Sequence, residues 1–352
     1  MPQPLILINS LAPIRICDTG GWTDTWFAGH GSVFNIAVSP FAEVQVAVFA
    51  EPEAPPGVTL HAENFGQRYR IDRARRWGQH PLLEAAVEYM RVPENLCLEI
   101  SIHSEAPSGA STGTSAAVTV ALVGALDALT PGRLTPHEVA GAAHRIETDL
   151  LKQQSGIQDQ LASAYGGINY IEMFEYPHAS VSSVHIPEAI AWELERRLAL
   201  IFLGKSHRSS ELHERVIAGL EAAGPDHPPL EALRRAAIRS RDALAAGDFA
   251  ALGTAMIDNT QAQSQLHPDL IGVEAARVIE IARSHGAIGW KVNGAGGAGG
   301  SLTLLCGERS EAKRTLLREI SQEDPSFQII PIRLSRAGLR VWKMEANGLG
   351  RD

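Results

Sequence analysis

The segment at residues 107–115 restricts the fold more than any other part of this sequence. It reads Pro-Ser-Gly-Ala-Ser-Thr-Gly-Thr-Ser and lies between residues 96–103, where polar and apolar residues alternate, and residues 115–129, rich in Ala, Val and Leu. Alternation predicts a β-strand, and an apolar run of this length predicts a buried helix. Two glycines allow a sharp turn and a close approach of the backbone to a ligand. The chain must therefore pass from a strand directly into the start of a helix.

The residues of this turn are compatible with two interpretations. A helix N-terminus presents free N–H groups and the positive end of the helix dipole, so a loop of this kind forms a site for phosphate. The same residues also suit an ordinary strand-to-helix turn with a Ser or Thr N-cap. The segment is not a Walker A loop, because no Gly-Lys-Ser/Thr sequence follows it.

The overall composition indicates a cytoplasmic protein without a nucleic-acid or membrane partner. The net charge of -9 counts against nucleic-acid binding, which usually shows a basic surplus. The cysteines Cys17, Cys97 and Cys306 form no CxxC pair, so neither a zinc site nor a disulfide framework is indicated. No apolar run is long enough to span a membrane, and the apolar N-terminus lacks the basic residues of a signal peptide.

The chain of 352 residues is too long for one compact core and predicts two lobes, at residues 1–187 and 188–352. In each half, strand-like segments are followed by helix-like segments, which predicts an α+β fold and not a doubly wound parallel sheet. Strands are predicted at residues 5–8, 14–16, within 33–48, 96–103, 168–173, 198–202 and 301–306. Helices are predicted at residues 115–129, 136–151, 209–223, 230–246, 249–265 and 273–284, the second with a capping box made by Thr135 and Glu138.

A second glycine-rich segment lies at residues 294–300 and reads Gly-Ala-Gly-Gly-Ala-Gly-Gly. Gly294, Gly296 and Gly299 match GxGxxG, but a dinucleotide site needs a helix after this motif, and residues 301–305 predict a strand. A protein-kinase glycine loop is excluded because HRD and DFG elements are absent from the sequence. We expect a loop that comes very close to a ligand or to residues 107–115, with a flexible turn as the alternative.

Three charged residues complete the set of candidates. Asp159, in Ser-Gly-Ile-Gln-Asp, suits a general base or a charge anchor, although a lone Asp is also common as a helix cap. Arg15, in Ala-Pro-Ile-Arg, and Asp24, in Gly-Gly-Trp-Thr-Asp, suit an anionic or polyhydroxy ligand. A salt bridge and a turn are the alternative interpretation for this pair.

The order of these segments resembles the GHMP kinases, the superfamily of galactokinase, homoserine kinase, mevalonate kinase and phosphomevalonate kinase. The resemblance spans nearly the whole chain, and residues 12–24 and 156–167 look most like bacterial D-glycero-D-manno-heptose 7-phosphate kinases and the kinase domain of L-fucose kinases. Those enzymes phosphorylate the anomeric hydroxyl of a sugar. The resemblance implies a two-lobed α+β fold, with an N-terminal lobe like ribosomal protein S5 and a ferredoxin-like C-terminal lobe.

The resemblance also implies ATP, Mg²⁺ and a sugar or sugar phosphate as ligands, and it leaves a homodimer open. Asp159 would take or orient the proton of the sugar hydroxyl, and Arg15 would keep Asp159 ionised and stabilise the transferring phosphoryl group. Ser115 and Glu147 would contact Mg²⁺. The residues implied to wrap the nucleotide phosphates are Pro107, Gly109, Ala110, Ser111, Thr112, Gly113, Thr114 and Ser115. Those implied to bind the sugar or close on it are Thr23, Asp24, Gly294, Gly296 and Gly297.

The sequence departs from the family pattern at several positions. Ala110, Ser111 and Thr112 replace Ser, Gly and Leu of the usual phosphate loop, which puts Ser111 where a positive φ is expected. Trp22 replaces a Gly of the heptose kinases and agrees with the L-fucose kinase pattern. Lys205 and Arg208 suit either a solvated helix start or a contact to a phosphate on the sugar. A mevalonate-type kinase and a non-catalytic sugar sensor remain as alternatives.

Overall fold

A computed structural model describes residues 3–50, 56–72, 74, 76–130, 133–205 and 210–345. These residues form two β-sheets covered by helices, which confirms the predicted α+β class. The strands are β1 (Ile6–Thr19), β2 (Gly31–Phe49), β3 (Gly57–Ala62), β4 (Gln67–Arg70), β5 (Cys97–Ser104), β6 (Ile168–Glu175), β7 (His178–Ser183), β8 (Leu198–Phe202), β9 (Gly289–Val292), β10 (Ser301–Leu305), β11 (Gln328–Ile330) and β12 (Arg340–Glu345). The helices are α1 (Pro81–Tyr89), α2 (Thr114–Asp127), α3 (Pro136–Arg145), α4 (Gln158–Tyr165), α5 (Glu188–Arg197), α6 (Ser210–Ala223), α7 (Pro228–Ala245), α8 (Phe249–Leu266), α9 (Val273–Ser284) and α10 (Ser310–Glu323).

The first sheet has the strand order β12-β1-β2-β5-β3-β4, with β6 paired to β2 and β7 paired to β6. Only β3 and β5 run parallel; the other pairs of this sheet are antiparallel. The prediction of two short strands around Pro13 was wrong, because β1 is continuous. The register between β1 and β2 shifts between Pro13 and Ile14, and such a bulge accommodates a proline that cannot donate a ladder hydrogen bond.

Helices α2 and α4 pack on the first sheet, and α3 packs against both of these helices. Helix α2 buries ten of its fourteen side chains, as expected for a helix that is apolar on all sides. Helix α3 begins with the predicted capping box, in which Thr135 accepts the N–H of Glu138 while Glu138 accepts the N–H of Thr135. The predicted helix at 136–151 ends its α-helical part at Arg145 and continues as a π-helical turn at Ile146–Leu150.

The second sheet has the order β11-β8-β10-β9 and is antiparallel throughout. Helices α7 and α8 pack against each other, α7 contacts β2, and α8 contacts β9, so this helix pair joins the two sheets. Strand β12 returns from the end of the chain to pair with β1. The lobe boundary at residues 187 and 188 therefore stays a prediction. Among the helices just described, none combines the length and apolar character that crossing a membrane requires.

Candidate functional site

The loop between β5 and α2 lines a cavity with a volume of about 740 Å³. All nine residues from 107 to 115 belong to its wall, opposite residues 62, 64–65 and 80–83. Gly113, at φ +71°, is the N-cap residue of α2 and has no side chain with which to cap the helix. The first N–H groups of α2 therefore stay available to an anion bound in the cavity.

Ser111 has a φ of +56°, so the left-handed conformation expected at this position is present in a residue other than glycine. Arg15 holds the loop in this shape from the neighbouring strand. The backbone N–H of Arg15 donates to the carbonyl oxygen of Thr112 at 3.0 Å, and its Nη1 donates to that of Ser111 at 2.6 Å. Two hydrogen bonds from one residue of β1 thus set the path of the loop.

The side chains of Arg15 and Asp159 form a bidentate ion pair. Nε of Arg15 donates to one carboxylate oxygen of Asp159 at 2.8 Å and Nη2 donates to the other at 3.1 Å. Burial of Arg15 opposes its charge, but the carboxylates of Asp159 and Asp18 outweigh this and raise the pKa of Arg15 above its usual value. The side chain of Asp159, in the first turn of α4, remains 28% exposed, so it is open to a bound molecule.

A second, smaller cavity of about 210 Å³ meets the first one at this ion pair. Arg15, Asp159, Gly294 and Ala295 line both cavities. The further residues of the small cavity are Trp22, Asp24, Thr25, Trp26, Phe27, Gln154, Ser155, Gly156, Gln158, His213 and Ile217. Two molecules, one bound in each cavity, would therefore lie next to each other beside Asp159.

Asp24 is a buried carboxylate in the wall of the small cavity. Its Oδ2 accepts the backbone N–H of Gln158 at 2.9 Å, and burial raises the pKa of Asp24 to about 6. A Cβ atom at Gly156 would lie only 2.1 Å from that same oxygen. Position 156 therefore requires glycine because the carboxylate of Asp24 occupies the space of a side chain.

The glycine-rich segment at 294–300 packs directly against the loop at 107–115, and β10 follows it, as predicted. A Cβ at Gly294 would lie 3.0 Å from the carbonyl oxygen of Ser111, and one at Gly300 would lie 2.8 Å from its Oγ. Gly296 and Gly297 line neither cavity; the N–H of Gly297 donates to the carbonyl oxygen of Leu270 at 2.8 Å. Of the three glycines assigned to the sugar, only Gly294 reaches the cavities.

Asp18 and Lys291 form a buried ion pair that the sequence did not single out. Both side chains are fully buried, with Nζ of Lys291 3.5 Å from a carboxylate oxygen of Asp18. The N–H of Gly294 donates to both oxygens of Asp18, at 3.1 and 2.9 Å. The available signals were a lysine inside an apolar strand, β9, and an aspartate just before Gly20 and Gly21. Neither signal shows that the two residues meet.

Glu147 and Ser115, assigned to Mg²⁺, lie on different elements. Oε2 of Glu147 accepts from Oγ of Ser155 at 3.0 Å and from Nε2 of Gln160 at 2.8 Å, and burial raises the pKa of Glu147 to about 7. Oε1 is buried and has no hydrogen-bond partner within the described residues. Ser115 is exposed in the first turn of α2, in the large cavity. The described part of the chain holds no cluster of three His, Cys, Asp or Glu side chains suited to a metal.

Thr23 and Lys205 line neither cavity. The hydroxyl of Thr23 donates to the carbonyl oxygen of Gly20 at 2.7 Å and accepts the N–H of Ser32, on β2, at 3.1 Å, so the backbone of the protein uses both its donor and its acceptor capacity. Nζ of Lys205 pairs with the carboxylate of Glu274 at 2.5 Å on the surface. Arg208 lies outside the described residues.

A family model described as "GHMP kinases N terminal domain" matches residues 81–167. The chain is 31% identical to mevalonate kinase of Thermococcus sibiricus over 274 residues, which are 72% of this chain and 75% of that protein. It is 27% identical to D-glycero-alpha-D-manno-heptose 7-phosphate kinase of Campylobacter jejuni over 252 residues, 70% of this chain and 72% of that one.

Solved structures show the same fold. A D-glycero-D-manno-heptose 1-phosphate kinase from Bacteroides thetaiotaomicron superposes with a TM-score of 0.75 at 19% identity, covering 96% of this chain and 99% of that one. Lactococcus lactis galactokinase complexed with galactose gives a TM-score of 0.73 at 17% identity, with 96% and 95% covered. At these identities the likeness supports the architecture alone.

Proposed function

This chain belongs to the GHMP kinase family, and from that premise we propose that it transfers the γ-phosphoryl group of ATP to a hydroxyl group of a sugar. One observation carries the proposal. The ion pair of Arg15 and Asp159 lies where the large cavity meets the small one. A phosphoryl donor in the first and a hydroxyl acceptor in the second would meet at this pair.

The large cavity suits the nucleotide. Its wall includes the complete loop at 107–115 and the start of α2, whose N–H groups and dipole favour phosphate oxygens. The opposite wall includes Phe65 and Leu83, which offer apolar surface for a base. This arrangement supports the implied roles of Pro107 and of the seven other loop residues assigned to the nucleotide phosphates.

The small cavity suits the acceptor. Asp24 and Asp159 offer carboxylate oxygens that accept hydrogen bonds from hydroxyl groups. In the reaction the acceptor oxygen forms a bond to the γ-phosphorus while the bond to the β-phosphate oxygen breaks and ADP leaves. Asp159 takes the hydroxyl proton, and Arg15 neutralises charge on the transferring group. General base help of this kind contributes a factor of roughly 10²–10⁴ in rate.

The carboxylate of Glu147, which accepts a hydrogen bond from Ser155 of the small cavity, has the chemistry that suits Mg²⁺. Oε1 of Glu147 is a buried carboxylate oxygen without a hydrogen-bond partner among the described residues, and oxygen ligands are those Mg²⁺ prefers. We assign Glu147 and the hydroxyl of Ser115 to the ion. When bound, Mg²⁺ would neutralise charge on the nucleotide phosphates.

The relatives and the small cavity together support a choice of acceptor. The relative named as a heptose 7-phosphate kinase supports a sugar as the acceptor. The relative named as a mevalonate kinase supports mevalonate. We favour a sugar, phosphorylated at its anomeric hydroxyl, such as a heptose 7-phosphate or a fucose-like sugar. The carboxylate of Asp24 in the wall of the small cavity accepts hydrogen bonds from hydroxyl groups, which favours a polyhydroxy acceptor over mevalonate. A non-catalytic sensor is disfavoured because the pair of Arg15 and Asp159 is intact.

The proposal includes a cytoplasmic location. The three cysteines are buried and form no disulfide among the described residues, which agrees with a reducing compartment. A homodimer stays a prediction.

The direct test is an ATP-dependent assay over sugars, sugar phosphates and mevalonate, with the phosphate position on the product determined by NMR. We expect ADP and a sugar 1-phosphate in equal amounts. Transfer to mevalonate and to none of the sugars would reject a sugar as the acceptor but keep the assignment as a kinase. ADP release without any phosphorylated product would reject both.

A further inference from the structure

Three aromatic side chains form one wall of the small cavity, and their polar atoms are already used by the protein. Nε1 of Trp22 donates to the carbonyl oxygen of Ala295 at 3.3 Å, and Nε1 of Trp26 donates to Oε1 of Glu221 at 2.8 Å. The rings of Trp26 and Phe27 pack edge to face, 5.2 Å apart. Because both indole N–H groups are occupied, this wall offers a bound molecule only the carbon surfaces of its rings.

The backbone of Trp22 has a conformation that a residue with a side chain rarely adopts. Its φ is +78°, a conformation that glycine adopts freely and that is strained for a bulky residue. Strain of this kind persists where the surrounding structure enforces it, and it concentrates at ligand sites. The ring contacts of Trp22 with Phe27 and His213 hold the residue in this conformation beside the small cavity.

The charges of the small cavity are unfavourable for a phosphorylated acceptor. Among its described lining residues the acidic groups are Asp24 and Asp159, and the one permanent cation is Arg15. Arg15 is occupied by Asp159 and by the carbonyl oxygen of Ser111. His213, the other titratable group, lies edge-on to Trp22 with its ring centroid 5.4 Å away.

Lys205, which the sequence offered for binding a phosphate on the sugar, is paired with Glu274 and does not line the cavity. A phosphate dianion on the acceptor would thus face two carboxylates, and like charges brought together oppose binding. A neutral sugar avoids this repulsion. The C–H groups of its ring can pack on the indole surfaces while its hydroxyls bond to Asp24 and Asp159.

We propose that the acceptor is an unphosphorylated monosaccharide whose apolar ring face packs against Trp22 and Trp26. This inference rests on the proposed sugar kinase activity and narrows it to neutral sugars. It separates the chain from the heptose 7-phosphate kinase that it resembles in sequence.

The test compares matched acceptors that differ only in a phosphate. D-glycero-D-manno-heptose is compared with its 7-phosphate, and D-mannose with its 6-phosphate; L-fucose is a further neutral sugar. We expect kcat/KM to be at least about tenfold higher for the neutral member of a pair. A preference for the phosphorylated member would overturn the inference and leave the kinase assignment standing. Transfer to mevalonate and to no sugar would overturn the proposed function as well.

Two variants of Trp22 test the aromatic wall. Trp22→Gly suits the backbone and removes the ring, whereas Trp22→Phe keeps an aromatic surface. We expect KM for the neutral sugar to rise at least about tenfold in Trp22→Gly and by less in Trp22→Phe. KM for ATP should be unchanged in both, which also shows that the fold is retained. Trp192→Gly, at an exposed tryptophan of α5, is the control. An unchanged sugar KM in Trp22→Gly would overturn the inference.

Discussion

The carboxylate of Asp18 accepts two hydrogen bonds from the N–H of Gly294, although 276 positions separate these residues in the chain. Asp18 belongs to β1 of the first sheet, and Gly294 lies in the loop between β9 and β10 of the second. Lys291, on β9, lies 3.5 Å from the same carboxylate. This buried contact joins the two sheets next to the ion pair of Arg15 and Asp159.

Asp18→Asn should destabilise the protein strongly, because the buried ammonium of Lys291 would lose its paired charge. Removing one partner of a buried ion pair typically costs about 3–5 kcal/mol. Urea unfolding would measure this loss. Asp18→Asn combined with Lys291→Met should recover much of it, because no buried charge is left alone. Glu188→Gln, in an exposed pair with Arg336, is the control and should change stability little. Equal losses in the single and double variants would contradict the prediction.

Gly294→Ala should impair activity through crowding of the loop at 107–115. The new Cβ would lie 3.0 Å from the carbonyl oxygen of Ser111, and the φ of +63° adds strain. Gly286→Ala is the matched control, because its φ is +74° but no atom lies within 4 Å. Both variants should lose about 1 kcal/mol of stability. Only Gly294→Ala should lower kcat/KM, by about tenfold or more. Similar kcat/KM values in the two variants would show that activity does not depend on the close packing of Gly294 against Ser111.

Asp159→Asn should lower turnover by roughly 10²–10⁴, because an amide cannot take the hydroxyl proton. The loop at 107–115 and α2 remain, so calorimetry should find ATP affinity little changed. Asp242→Asn, at an exposed aspartate paired with Arg241, controls for loss of a carboxylate elsewhere. Turnover near the unaltered value in Asp159→Asn would remove this residue from the reaction.

Asp24 should make acceptor binding depend on pH. Burial raises the pKa of Asp24 to about 6, so above pH 6 it is ionised and accepts hydrogen bonds from sugar hydroxyls. Below pH 6 it becomes protonated, and KM for the acceptor should rise by up to about tenfold per pH unit. Steady-state kinetics between pH 5 and 8 would show this. In Asp24→Asn, KM should be high and flat across the range; a retained pH dependence would assign it to another group.

Glu147→Gln should weaken the binding of divalent cations. We expect the Mg²⁺ concentration for half-maximal activity to rise by about tenfold or more, because an amide is a weaker ligand than a carboxylate. Electron paramagnetic resonance of Mn²⁺ with ADP would measure binding independently of turnover. Glu280→Gln, at an exposed glutamate of α9, serves as the reference. Unaltered Mn²⁺ binding in Glu147→Gln would assign the cation to other ligands.

Much of the local structure could be predicted because its determinants are contiguous. The glycines and hydroxyl residues at 107–115 predicted a strand-to-helix loop, and Thr135 with Glu138 predicted the start of α3. The positive φ of Ser111 was expected from the family pattern. The prediction that the strand is interrupted at Pro13 was wrong. A bulge in the pairing of β1 with β2 accommodates the proline, and the residue that pairs with it, Phe41, is 28 residues away in sequence.

The division of roles among the polar residues was only partly predictable. Thr23 follows the glycine turn, as a residue that binds a sugar would, but its hydroxyl is hydrogen-bonded to the backbone of Gly20 and Ser32. Trp26, Phe27 and Ser155 line the small cavity without having been proposed. The signal for the first two was an aromatic run just after Gly20 and Gly21, which is also typical of a core segment.

By itself, the sequence determined the α+β class, the hydroxyl-rich loop before α2 and the glycine-rich loop before β10, because each depends on propensities within a short segment. The tertiary structure alone decided that Arg15 meets Asp159, 144 positions away, and that Asp18 meets Gly294 and Lys291. These contacts depend on how the helix pair α7 and α8 joins the two sheets. Sequence patterns specify which face of an element is buried, but the geometry of packing specifies which buried charges become partners.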